Sequence, residues 1–171
     1  MEKEKIRIRF LRKEDAPILL AGVLSQGWHE TEDKFLNRLR DHESGKCTAF
    51  VAEYEGDPAG WVNVYFEKAG GPYRGKGYGW IEDFAVLEKY QRQGIGKALM
   101  DEAEALIAER TDIACLAVGL HPGYGSAQRL YVKRGYLPDG TGAWYGHAPA
   151  QEYAVYPLDD ELVIYMSKKL Y

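Results

Sequence analysis

Trp80 to Arg110 reads WIEDFAVLEKYQRQGIGKALMDEAEALIAER, and the reading of this stretch decides the fold. It opens on a short apolar run, Ile81 to Val86, crosses a charged turn, and reaches two glycines, Gly94 and Gly96. From there Ile95, Leu99, Ala103, Leu106 and Ile107 recur at the spacing of one helical face, with Asp101, Glu102, Glu104 and Arg110 off it. The pattern predicts a strand, a glycine loop and a long amphipathic helix. A helix start leaves several backbone N–H groups unpaired and gathers partial positive charge, and glycines let a ligand reach the main chain without meeting a Cβ. The expected guest of this loop is an anion, although a bare turn that opens a helix is the plainer reading of the glycines alone.

Two common phosphate loops fail to fit. A GxxxxGK[ST] loop needs glycine at Gln91 and a hydroxyl at Ala98, and a GxGxxG fingerprint needs a third small residue at Leu99.

The chain has 171 residues, enough for one domain with a real core, and its 46% hydrophobic and 28% charged residues are those of a globular protein. No apolar run approaches the roughly 20 residues of a membrane span, and the opening MEKEKIRIRF is too charged for a signal peptide, so a cytoplasmic protein is expected. A net charge of −4 argues against nucleic acid as a partner, because duplex binding relies on a basic surface. Cys47 and Cys115 lie in apolar runs and suit buried reduced thiols. The histidines His29, His42, His121 and His147 show no ligand spacing, so no metal site is read.

Along the chain, Ile6, Ile8 and Phe10 alternate with arginines as a first strand. Asp15 can cap a helix that runs to about Leu24, with Pro17 in its first turn. A second helix spans Glu32 to Glu43. Strands Cys47 to Tyr54 and Trp61 to Phe66 flank a hairpin turn at Glu55-Gly56-Asp57-Pro58, and the glycine-rich segment 69–79 reads as a loop. After the central helix, Ala114 to Leu120 forms a buried strand, which completes a parallel crossover unit. Ser126 can cap a short helix that Gly135 closes. The segment Leu137 to Glu161, rich in aromatic and acidic residues, reads as a long loop: a candidate acceptor lid, or a cover whose tyrosines pack on the sheet edge. A final strand is expected over Leu162 to Met166.

Gln91-x-x-Gly94-x-Gly96 fits the Q/R-x-x-G-x-G/A pattern by which the GNAT superfamily of N-acetyltransferases binds the pyrophosphate of acetyl-CoA, and the stretch resembles that family's central motif. One crossover further on, Ala127, Leu130, Tyr131, Gly135 and Tyr136 are similar to its second signature, A-x-x-L-Y-x-x-x-G-[FY]. Members often carry asparagine three residues before that alanine; this chain has Tyr124, so no cofactor role is carried onto it. The resemblance implies a single α/β domain of the GNAT fold, a mixed twisted sheet of about six or seven strands flanked by about four helices. It implies acetyl-CoA as co-substrate, held by Gln91, Arg92, Gln93, Gly94, Ile95, Gly96 and Lys97. The backbone of Phe84, Ala85 and Val86 would meet the pantetheine and the developing oxyanion. A homodimer is an expectation at family level only.

Moving an acetyl group to a primary amine also needs an acid and a base. Tyr131 is the expected acid, favoured by the surrounding Leu-Tyr motif over a helical aromatic that only packs against the sheet: a phenol with a pKa of about 10 stays protonated at neutral pH and can donate to a departing thiolate. For the base, Glu82 is placed ahead of Asp83; a structural carboxylate is the alternative for either, and the favoured one for whichever faces the helices. As strand neighbours the two are expected to point to opposite faces, so that at most one meets the acceptor. The cluster Asp159-Asp160-Glu161 can attract a cationic amine or simply be solvated. Two function classes stay open: an N-acetyltransferase for a small-molecule or peptide amine, and a non-catalytic CoA-binding sensor or interaction module of the same fold.

Overall fold

Alternation of apolar and basic residues produces the first strand, β1 (Ile6–Phe10), close to the start of the computed structural model, which describes residues 4–171. Helices α1 (Asp15–Ser25) and α2 (Glu32–Glu43) follow, then β2 (Cys47–Tyr54), β3 (Asp57–Tyr65), β4 (Gly79–Val86), α3 (Ile95–Ala108) and β5 (Ile113–Gly119). The chain ends with α4 (Gly125–Arg134), β6 (Leu137–Tyr145), β7 (Ala148–Pro149) and β8 (Leu162–Lys169). The strands form one mixed sheet of eight, in the order β1-β2-β3-β4-β5-β8-β6-β7. The chain divides into two compact units: the described residues up to Tyr65 with Ile81–Leu106, and Phe66–Trp80 with Ile107–Tyr171.

In the first unit, β1, β2 and β3 pair antiparallel. The β2–β3 turn places Glu55 (φ 52°) and Gly56 (φ 98°) in the left-handed region, as a two-residue hairpin turn requires. Strand β3 begins at Asp57 rather than Trp61 because a register shift between Ala52 and Glu53 accommodates Pro58, which has no N–H to give the ladder. Asp15 does not cap α1. It is the first helical residue, and its buried carboxylate accepts the Arg12 N–H at 2.7 Å and two bonds from Arg9 at 2.7 Å each. An arginine fork facing the carboxylate outcompetes the helix's own amides for it. The apolar stripe of α3 buries Ile95, Leu99, Ala103 and Ile107, while Leu106 stays partly exposed.

In the second unit, β4 and β5 run parallel, with Gly79 opposite Ala114 and Trp80 opposite Cys115, so the crossover is present as read. Strand β8 lies antiparallel between β5 and β6. The 69–79 loop contains a 3-10 turn, Gly71–Tyr73, that buries Tyr73, and the Tyr165 ring occupies the place where a Cβ on Gly71 would go. Ser126 is not a cap, because the 3-10 turn Pro122–Tyr124 runs directly into α4 one residue earlier. His121 takes the capping task instead, its Nδ1 accepting the Gly123 N–H at 3.0 Å. Gly135 ends α4 with φ 96°, where other residues are strained.

The segment 137–161 is only partly a loop. Its first nine residues are β6, paired with β8 across an irregularity between Pro138 and Ala143, and Gly146-His147 turns the chain into β7. Turn residues inside a strand had disguised it, and these extra strands raise the sheet from six or seven to eight. Cys47 and Cys115 are buried and unbridged, and burial pushes the Cys115 thiol up to about 12. Among the described residues, no helix is long and apolar enough to cross a membrane.

Candidate active site

The glycine loop closes β4 onto α3. Gln91 donates its side-chain amide to the Val86 carbonyl at 3.1 Å, tying the loop to the end of the strand. Arg92 (φ 63°) and Gly94 (φ 85°) both have a positive φ, so the chain turns sharply just ahead of α3. A Cβ on Gly94 would meet only the Ile6 methyl at 3.9 Å; the position needs glycine for its φ, not for room. The first bond of α3 runs from the Ala98 N–H to the Gly94 carbonyl at 3.1 Å, so the amides of Ile95, Gly96 and Lys97 form the open first turn. Gln91, Arg92, Gln93 and Gly94 are exposed. The Lys97 ammonium pairs with Asp101 at 2.7 Å, which leaves the backbone as what this position offers. Lys89 lies over the Tyr90 ring at 5.0 Å.

On β4 the structure corrects the alternation expected for Glu82 and Asp83. Asp83 has φ 57°, and of the four non-glycine residues in this region among those described it is the one that lies inside a strand. A left-handed residue breaks the two-residue period, so both carboxylates engage α2. Glu82 Oε2 pairs with Arg38 Nη1 at 3.1 Å, and Asp83 Oδ1 with Lys34 Nζ at 2.8 Å. Lys34 also donates to Glu30 at 3.0 Å, and Arg38 to the Tyr65 hydroxyl at 2.7 Å, which donates in turn to Asp41 at 2.8 Å. Burial pushes the Asp83 carboxyl up, with Lys34 and Arg38 opposing. Burial also works against the Lys34 charge, but Asp83 and Glu30 hold the ammonium above its ordinary value. Behind Asp83, Phe84, Ala85 and Val86 are partly exposed, and Gly60 on β3 makes room for them: a Cβ there would stand 2.7 Å from the Ala85 carbonyl. Lys34 and Arg38 had no signal in the sequence, since cations on a helix usually mark a solvated face.

Tyr131 belongs to the second unit. It is 6% exposed on α4, its ring 5.8 Å from that of Tyr136, and burial first, then Tyr124, pushes its phenol up. Tyr124 packs its ring where a Cβ on Gly119 would go and donates its hydroxyl to Asp160 at 3.0 Å. Because His121 Nδ1 accepts from the backbone, its Nε2 carries the proton and donates to the same Asp160 oxygen at 2.8 Å. The His121 hydrogen bond holds the Asp160 carboxyl below the usual range. Asp159 accepts from the Tyr145 hydroxyl at 2.8 Å, so two carboxylates of the acidic run have partners within the unit. Tyr145 and Tyr156 pack together at 5.2 Å and Trp144 meets Tyr165 at 5.3 Å, as a cover would, whereas Tyr153 and Val155 stand 95% and 96% exposed. Among the described residues, no group of three or more His, Cys, Asp or Glu is placed to hold a metal ion.

A profile of the acetyltransferase (GNAT) family matches residues 10–136, and the chain belongs to that family. Solved structures share the fold at low identity. The ribosomal-protein-S18-alanine N-acetyltransferase of Escherichia coli has a TM-score of 0.67 at 17% identity, covering 96% of this chain and 94% of its own. An acetyl transferase of Salmonella typhimurium that modifies the N-terminal serine of 50S ribosomal subunit protein L7/L12 has a TM-score of 0.71 at 13% identity, covering 98% and 96%. YncA from Salmonella typhimurium, solved with its cofactor acetyl-CoA, has a TM-score of 0.68 at 12% identity, covering 98% and 95%. No curated protein matches the chain in sequence.

Proposed function

We propose that this chain is a cytoplasmic, acetyl-CoA-dependent N-acetyltransferase that acts on a primary amine of a small molecule or peptide by direct attack in a ternary complex. The observation that carries the reading is the loop, with two left-handed residues, Arg92 and Gly94, ahead of an open helical turn. That arrangement fits a pyrophosphate: a helix N-terminus with an open first turn and no side chain at Gly94. Bound acetyl-CoA would supply a thioester carbonyl and a thiol leaving group.

The backbone of Gln91 to Lys97 would hold the phosphates, and that of Phe84, Ala85 and Val86 would orient the pantetheine and stabilise the oxyanion. Preorganised donors of this kind contribute about 3 kcal/mol each. Glu82 would take the proton that the amine must lose. Tyr131, kept neutral by burial, would give its proton to the departing sulfur. The amine nitrogen thereby gains the acetyl group as the carbon–sulfur bond breaks, and the products are an amide and a free thiol. Two cations, Lys34 and Arg38, stand among four carboxylates, Glu30, Asp41, Glu82 and Asp83, and a surplus of negative charge favours a cationic amine.

Calorimetric titration with acetyl-CoA tests the cofactor half of this reading, and the mass of the amine after incubation tests the transfer half. The expected results are saturable binding and an amine heavier by one acetyl group. Tight binding with no acetylated product from any amine would make the chain a CoA-binding sensor of the same fold.

A further inference from the structure

We propose that Lys34 is a positioning residue which, through Asp83, holds the left-handed kink in β4 and thereby sets the carboxylate of Glu82 and the backbone of Phe84 to Val86. The proposal rests on the acetyltransferase reading for what that backbone does, and on the structure alone for how it is held. Aspartate visits the left-handed region more readily than most residues, but inside a strand it does so only when its surroundings impose it. Here the surroundings are specific. The Lys34 ammonium donates to Asp83 Oδ1 at 2.8 Å, and Arg38 Nε stands 3.8 Å from Oδ2.

Lys34 is itself fixed. Glu30 one turn earlier accepts from it at 3.0 Å, and the ammonium lies over the rings of Trp61 at 5.5 Å and Phe35 at 5.9 Å. Phe35 and Trp61 meet edge to face at 5.1 Å, and both are buried. A lysine gripped by a carboxylate and two core rings is a poor candidate for a solvated surface charge and a good one for a buckle between α2 and β4. Without it, Asp83 would keep a largely buried carboxylate with less to hold it. Extended backbone at that position would restore the alternation that the kink breaks, turning Glu82 and residues 84–86 away from their present directions.

The test is a double-mutant cycle with two readouts: turnover with acetyl-CoA, and amide hydrogen exchange at residues 84–86. Lys34→Met is expected to lower kcat at least about tenfold and to raise the KM for acetyl-CoA, because the displaced 84–86 backbone would also orient the pantetheine. Exchange at 84–86 should quicken about tenfold, with β2 unchanged. Glycine takes a positive φ without help, so in an Asp83→Gly background the same Lys34→Met change should cost less than about twofold in kcat. Lys34→Gln serves if the methionine variant does not fold. An equal loss in both backgrounds would overturn the proposal, since Lys34 would then act on something other than Asp83. Unchanged exchange at 84–86 would overturn it too. Exchange is read without any acceptor, so it decides the buckle even if the wild-type chain transfers no acetyl group.

Discussion

In the proposed reaction Tyr131 and Glu82 would carry opposite halves of the proton traffic, and their surroundings differ accordingly. The Tyr131 phenol is buried, and its raised pKa keeps it protonated to a higher pH than an ordinary tyrosine at about 10. Turnover should therefore rise with pH as the amine loses its proton, with no descending limb from Tyr131 below about pH 10; a pH–rate profile of kcat/KM checks this. Tyr131→Phe should lower kcat about a hundredfold, at the low end of general-acid contributions, and leave the acetyl-CoA KM within about twofold. Glu82→Gln should lower kcat/KM by a similar factor under steady-state assay. Both residues were proposed from the sequence, Tyr131 through its motif and Glu82 through its place on the central strand. Their neighbours were not. Asp83 meets Lys34 across nearly fifty positions of chain, and no local pattern announces an ion pair closed by tertiary packing.

At the scale of elements, the loop and the strand before it depend on two glycines for different reasons. Gly94 needs its φ of 85°, and there any Cβ costs about 1–2 kcal/mol. Gly94→Ala should accordingly raise the acetyl-CoA dissociation constant about tenfold in a calorimetric titration while the fold persists. Gly60 needs room, because a Cβ 2.7 Å from the Ala85 carbonyl presses on main chain that cannot rotate away. Gly60→Ala should cost about 1–3 kcal/mol of stability in urea unfolding and displace the 84–86 backbone. The strand–loop–helix unit was readable because its glycines and its helical period agree. Strand β6 was not: Pro138, Gly140 and Gly142 are turn residues, the two glycines keep positive φ (91° and 75°) in the irregularity between Pro138 and Ala143, and pairing with β8 on either side of it makes the segment a strand. Asp15 departs from the expected α1 cap because Arg9, a residue of another element, claims its carboxylate.

For the whole molecule, the family, the mixed sheet and the crossover follow from two motifs one crossover apart, while the acceptor does not, because it depends on side chains that vary without altering the scaffold. The most direct measurement is thiol release from acetyl-CoA by the wild-type chain and by Tyr131→Phe, against polyamines, amino acids, aminoglycosides and peptides. The account predicts amine-dependent thiol release with at least one class of acceptor, cut about a hundredfold by the substitution. Thiol release that is absent with every amine, or equal in the two proteins, would contradict it.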